Sequence, residues 1–222
     1  MARLRLTYAK RGRACFIPHI AIPSVFSRSG RRAGVEFELS EGFSPRPRIS
    51  LGPELPVGVP ALCEPLEVRV RAFSDYLMRS WDDALPPGFF FTGYRFVPEK
   101  DRDEARALSK LCEASSYILG LRGPDRTPLA AALEEMMEEG VVLNFHEAGR
   151  GLCRCIVERP SERGPGLLVK ELRIRGIIEG WPEIFIFREA VGRLRAGSVT
   201  PLTPSVFSVD FLQRGGPFAE QL

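Results

Sequence analysis

Val35-Glu36-Phe37-Glu38-Leu39-Ser40-Glu41-Gly42-Phe43-Ser44-Pro45-Arg46-Pro47-Arg48-Ile49-Ser50-Leu51-Gly52 joins an alternating segment to a stiff, arginine-bearing loop. Val35, Phe37 and Leu39 alternate with Glu36 and Glu38, the period of a strand with one buried face. In the loop that follows, Pro45 and Pro47 each fix their own φ and push the preceding residue toward an extended conformation. Arg46 and Arg48, two apart on such a backbone, project to one side. Two readings stand: a connection with merely solvated arginines, or an anion-binding loop. Gly42, Pro45 and Pro47 would shape the latter, Phe43 would be its stacking or packing anchor, and Glu41 is placed to pair with an arginine and organise it.

The same pattern reading extends to both sides. Before the loop, Leu4, Leu6 and Tyr8 alternate with Arg3, Arg5 and Thr7 as a first strand. Ile22, Val25, Phe26 and Ala33 have near-helical spacing, with Pro23 in the first turn and Gly34 as the stop. After Pro60, Leu66, Val68 and Val70 alternate as a third strand, Ser74 caps a helix ending at Pro86-Pro87, and Phe89 to Val97 forms a fourth strand. The order β-α-β-β-α-β is that of a ferredoxin-like unit. It starts again near residue 116, with a strand from Tyr117, a helix from Thr127 to Glu139, a strand over Val141 to Phe145, and a hairpin of Cys153–Val157 with Leu167–Arg175. A helix from Pro182 to Leu194 and a last strand over Phe207 to Phe211 complete it. The expectation is an α+β chain of two tandem ferredoxin-like units with antiparallel sheets: 1–97, a linker over 98–115, 116–214, and a tail over 215–222.

The net charge of +3 conceals an asymmetry. Residues 1–50 carry ten Lys/Arg against three Glu, and the remainder twenty-one basic against twenty-five acidic residues. A basic end favours a polyanion, with nucleic acid the commonest candidate. Arg11 and Arg13 follow the first strand, Arg28, Arg31 and Arg32 lie at the end of the first helix, and Arg46 and Arg48 lie in the loop. Together with Lys10 they would frame one concave surface for phosphate, and arginine's planar fork suits bidentate recognition. The charged sheet face around Arg3 and Arg5 lacks the aromatics on which RNA-recognition motifs stack bases.

Five cysteines (15, 63, 112, 153, 155) with no Cys-x-x-Cys, and two distant histidines, argue against a disulfide framework and against a metal site. No run reaches the ~18 apolar residues of a membrane span, so a cytoplasmic protein without membrane contact is expected. No Walker loop, dinucleotide fingerprint or nucleophile triad is present. His19, between the first strand and first helix, is a weak catalytic candidate, able in principle to act as a general base on a ribose hydroxyl.

Leu4 to Gly12, Phe16-Ile17-Pro18-His19-Ile20, Arg31-Arg32-Ala33-Gly34, the motif Ser40 to Ser50 and Leu55-Pro56-Val57-Gly58-Val59 resemble the radical SAM-linked family. That is an uncharacterised domain family found fused to, or encoded beside, a radical S-adenosylmethionine protein. The resemblance implies a partner more than an activity. The iron–sulfur cluster and S-adenosylmethionine would belong to that radical SAM protein, with no cofactor in this chain. Relatives show Ser-His-Leu-Asp where this chain has Pro18-His19-Ile20-Ala21, so the histidine is kept and the carboxylate is absent. This favours a non-catalytic accessory protein binding structured RNA, tRNA or rRNA. Two alternatives stay open. One is an RNA-processing or RNA-modifying enzyme using His19, since tandem ferredoxin-like halves occur in such enzymes. The other is a protein-only adaptor docking through the acidic helix of Glu134, Glu135, Glu138 and Glu139 or through the charged sheet face.

Overall fold

A computed structural model describes residues 2–98, 104, 106–123 and 126–204. In the first half, β1 (Ala2–Lys10), β3 (Ala61–Val70) and β4 (Phe89–Val97) are long strands, and β2 (Ile49–Leu51) is short. Helices α1 (Ile22–Arg32) and α2 (Asp75–Asp83) link them. The short helix α3 (Leu108–Leu111) leads into the second half, which runs β5 (Ala114–Leu121), α4 (Pro128–Glu138), β6 (Asn144–Gly149), β7 (Leu152–Glu158), α5 (Pro165–Ile174), β8 (Ile184–Arg195) and β9 (Ser198–Pro201).

The nine strands among the described residues belong to one sheet of mixed α/β architecture, in the order β4-β1-β3-β8-β5-β7-β6, with β2 on β3 and β9 on β8. Every pairing is antiparallel except β3 with β8, which meet in parallel at Ala61 and Arg188. Each half therefore lays its fourth, first, third and second strands side by side.

Each half has its own core on the helical side of the sheet. Leu4, Leu6, Tyr8, Leu66, Val68 and Phe91 pack against Ile22 and Phe26 of α1 and Met78 and Trp81 of α2. Tyr117, Leu119, Cys155 and Ile186 pack against Leu133 and Met136 of α4 and Leu168 and Leu172 of α5. Gly30 is required where α1 crosses Phe37 and Trp81: a Cβ there would lie 2.4 Å from Phe37 Cζ. Ser74 caps α2 as expected, its Oγ accepting from Leu77 N at 3.1 Å.

Several elements differ from the sequence reading. Val35 to Leu39 makes only isolated bridges, Phe37 with Val70 and Leu39 with Pro47, and the strand that pairs with β3 is Ile49–Leu51. The chain leaves the β3 edge after Glu38 and rejoins it at Arg48, so the loop interrupts what would be one edge strand. The strand expected over Val141 to Phe145 starts at Asn144, because Gly140 at φ +70 ends α4 and Val142 drops into the core. Leu167–Arg175, expected as a strand, lies in α5, where Leu168, Val169 and Leu172 share one buried face. Pro182–Leu194, expected as a helix, is largely β8. The strand expected over Phe207 to Phe211 and the tail lie outside the described residues. No helix among the described residues is long and apolar enough to cross a membrane.

Candidate nucleic-acid interface

The arginine–proline loop is a pinned excursion. At its neck Ser40 N donates to Arg46 O (2.7 Å), Arg46 N donates to Ser40 Oγ (3.1 Å), and Arg48 N donates to Glu38 O (2.9 Å). Gly42 turns the tip at φ +114, a region open to glycine and costly for other residues. Phe43 is fully exposed at that tip, an unusual place for a large ring unless it is used. Arg48 NH1 donates to Glu38 Oε1 at 2.6 Å, and Arg69 also faces that carboxylate at 3.8 Å. The organising acid is thus Glu38, while Glu41 is exposed. Arg46 is exposed, and its side chain has no hydrogen-bond or ion-pair partner among the described residues.

The remaining cations separate into two groups. The loop neck lies beside Arg69 and Val70, where β3 ends next to Ala2 and Arg3 of β1. Arg31 and Arg32 close α1 just before the segment that reaches Val70. Arg28 and Arg31 are both exposed, and Arg32 donates to Ala84 O at 2.7 Å, closing the C-terminus of α2. Arg11 and Arg13 follow the other end of β1, roughly 25 Å away along the strand. There Arg11 sits 5.0 Å over the Phe90 ring, and Arg13 is exposed. The arginines of the first half are thus spread over both ends of β1.

Residues 3–154 match the model of a family described as an uncharacterized protein conserved in bacteria (DUF2344). The chain belongs to this family. The DUF2344 match starts in β1, takes in the whole first half and the loop, and ends inside β7. A search of curated proteins found no match.

Within this DUF2344 chain the first half's helix-free sheet face is closed. Arg5 is fully buried and pairs with Glu67 (2.9 Å) and with Glu104, which also receives Arg95 (2.5 Å) and Arg193 (2.7 Å). Burial raises the Glu104 pKa, but the ion pairs with Arg5 and Arg95 outweigh it and hold the carboxyl below its usual range. Thr7 Oγ1 meets Thr203 Oγ1 at 2.7 Å, and Arg95 Nε donates to Leu202 O at 2.8 Å, so the chain around 202–203 completes the cover.

His19 lies in a short 3-10 turn, half-buried. Burial pushes its imidazole pKa down against the raising fields of Glu64 and Glu54, with Arg188 and Lys10 adding to the lowering. It is therefore neutral at physiological pH, the form a general base requires. Behind it lies a pair the sequence did not disclose: Glu64 and Arg188, 124 residues apart, both buried, with Arg188 Nε donating to Glu64 Oε1 at 2.7 Å. Arg188 also donates to Pro53 O (2.9 Å) and Glu54 O (3.3 Å). The pattern signal for such a pair was a charged residue at an inward position of an apolar strand. Recognising it required knowing that 184–195 is a strand.

All five cysteines are free thiols. Burial pushes Cys63 up to about 11 and Cys112 up to about 12, so both are protonated and poor nucleophiles. Among the described residues no group of three or more His, Cys, Asp or Glu is placed to hold a metal ion.

Proposed function

We propose that the chain is a non-catalytic RNA-binding accessory protein, holding tRNA or rRNA through the Leu39–Pro47 loop and presenting it to a radical S-adenosylmethionine enzyme in the cytoplasm. The observation that carries this reading is a fully exposed Phe43 on a loop pinned at its neck, beside an exposed Arg46 whose side chain has no partner among the described residues. A ring presented without entropic slack can stack on an unpaired base, and an arginine beside it supplies phosphate contact. Arg48 and Arg69, which share Glu38, and Arg71, 3.9 Å from Glu36, flank the neck toward the end of β3. The fourth–first–third–second strand order of each half supports reading 1–97 and 116–214 as two ferredoxin-like units joined by 98–115. The radical SAM partner rests on the sequence resemblance alone. In this reading the iron–sulfur cluster and S-adenosylmethionine are the partner's, and this chain brings none.

Binding to total tRNA across a salt series tests it. Affinity is expected to fall steeply with salt, with Phe43→Ala/Arg46→Ala weakening it at least several-fold and lowering the log–log slope by about 0.9 for each phosphate that is no longer neutralised. Absence of binding at low salt, or an unaffected variant, refutes it. The neutral, half-buried His19 favours a second reading, RNA cleavage or modification. Equal inactivity of wild type and His19→Ala on labelled RNA removes that one.

A further inference from the structure

At the end of β1 opposite the arginine–proline loop, three large apolar side chains stand in solvent: Phe16 (69% exposed), Ile20 (88%) and Val57 (52%). Their neighbours in sequence turn the other way. Ala14 and Cys15 are buried, Ile17 packs against the first core, and Ile22 lies inside it. Leu55 and Val59, on either side of Val57, are buried in the second core. Two segments that otherwise serve the interior thus leave their largest remaining apolar groups outside, and an exposed apolar patch marks an interaction site.

Backbone bonds bring the three together and hold them. Gly58 N donates to Cys15 O at 2.9 Å, which sets the Val57 turn against the Phe16 turn, and Gly58 makes its own turn at φ +88. Phe16 closes one 3-10 turn and Ile20 lies in the next, with Ile17 N donating to Ala14 O (3.0 Å) and Ala21 N to Pro18 O (2.9 Å). Between the two turns the buried Lys10 donates through Nζ to Ile17 O at 3.0 Å. A backbone fixed in this way has little left to lose on association.

Charges of opposite sign stand at the two ends of this rim. Phe89 pairs with Lys10, Lys10 with Ala61, and Ala61 with Arg188. One row therefore crosses β4, β1, β3 and β8, roughly 14 Å from end to end. At the β4 end Arg11 N donates to Gly88 O (2.9 Å), and a Cβ on Gly88 would lie 2.4 Å from Arg11 O and 2.8 Å from Ala14 Cβ. This close approach carries the exposed Arg13 to the β4 side. At the β8 end Arg188 donates to Pro53 O (2.9 Å) and Glu54 O (3.3 Å), which fixes the backbone of the exposed Glu54. The side chains of Arg13 and Glu54 have no hydrogen-bond or ion-pair partner among the described residues. From β4 to β8 the face reads cation, apolar, anion.

We propose that this face joins two copies of the chain in a two-fold dimer, in which Phe16, Ile20 and Val57 pack on the same residues of the second copy and each Arg13 meets the second copy's Glu54. A two-fold interface needs a patch complementary to itself, and an apolar centre between one cation and one anion meets that need, because a half-turn lays unlike charges together. A nucleic acid or an acidic protein would be drawn to Arg13 and repelled by Glu54, and a basic protein the reverse. The net charge of +3 per chain sets little repulsion against association. The inference goes beyond the RNA-binding reading and does not depend on it: the dimer covers the end of β1 far from Phe43 and Arg46 and leaves both loops open. His19 lies in the same turn as Ile20, so the dimer encloses it and competes with the cleavage reading of that residue.

Sedimentation velocity on the full chain, freed of nucleic acid with nuclease and run from about 1 to 100 µM, tests the proposal. Wild type is expected to pass from monomer to dimer within that range. Ile20→Asp, at an exposed position, is expected to weaken association about tenfold or more. Arg13→Glu and Glu54→Arg should each weaken it several-fold, and the two combined in one chain should restore it, because the reversed charges again meet unlike ones. A wild-type chain that stays monomeric throughout, an Ile20→Asp variant that associates as wild type does, or a reciprocal pair no tighter than its single variants overturns the proposal. Far-UV circular dichroism checks that each variant is folded. If Ile20→Asp is not, the charge-reversed set decides alone.

Discussion

Glu64→Gln is the substitution most sensitive to how the two halves are joined. Glu64 is 3% exposed and Arg188 fully buried, and each carboxylate oxygen receives one guanidinium nitrogen. Strands β3 and β8 meet at a single registered pair, Ala61 with Arg188, reinforced by Arg188 N donating to Pro60 O at 3.0 Å. The amide keeps the volume and an acceptor but leaves a guanidinium buried without its counter-charge. Breaking one side of such a pair costs about 3–5 kcal/mol. For a chain of this size that lowers Tm by about 10 °C. Thermal and urea unfolding followed by far-UV circular dichroism measures it, with wild type, Glu64→Gln, Arg188→Met and the double variant in one cycle. The double variant is expected to lose less than the sum of the singles, because the second removal takes away the orphaned partner. A Tm drop of about 2 °C or less in Glu64→Gln, or strict additivity, refutes the argument that this pair holds β3 to β8.

Gly30→Ala forces Cβ against Phe37 Cζ and is expected to destabilise by about 1–3 kcal/mol in urea titrations, with the loss relieved by Phe37→Leu. His19 titrates lower in the folded than in the unfolded state, so its contribution is intact above the unfolded value of about 6.5 and is lost as pH falls through it. His19→Gln should therefore lose less stability than wild type between about pH 6.5 and 5, above the range where Glu104 begins to contribute a loss of the same sign. Ser74→Ala removes the acceptor for Leu77 N and is expected to cost about 1 kcal/mol, again by urea titration. Cys63 and Cys112, with thiols raised to about 11 and about 12, should react slowly with a disulfide reagent at pH 8 and quickly once urea exposes them.

Elements with one buried and one polar face were legible in the sequence. The alternation of Leu4, Leu6 and Tyr8, the Pro23 and Gly34 brackets of α1, the Ser74 cap and the run Phe89–Val97 all correspond to elements of the fold. Where both faces of an element carry apolar side chains the periodicity disappears. Ile184, Phe187, Val191 and Leu194 fall at helical spacing only because Phe185 and Phe187 occupy the outer face of a strand whose inner face is Ile184 and Ile186. Leu167 to Arg175 failed in the opposite direction, since a short amphipathic helix after Pro165 offers few positions to tell one period from the other.

The pinned loop with its prolines, the basic first half and the alternating strands are properties of local sequence. They follow from backbone restrictions and side-chain periods that act over a few residues. The separation of the basic residues to opposite ends of β1, the closure of one sheet face by Glu104, and the meeting of Glu64 with Arg188 came only from the tertiary structure. Each depends on which strands become neighbours, and that is set by burying two cores against one continuous sheet, a constraint no short stretch of the chain contains.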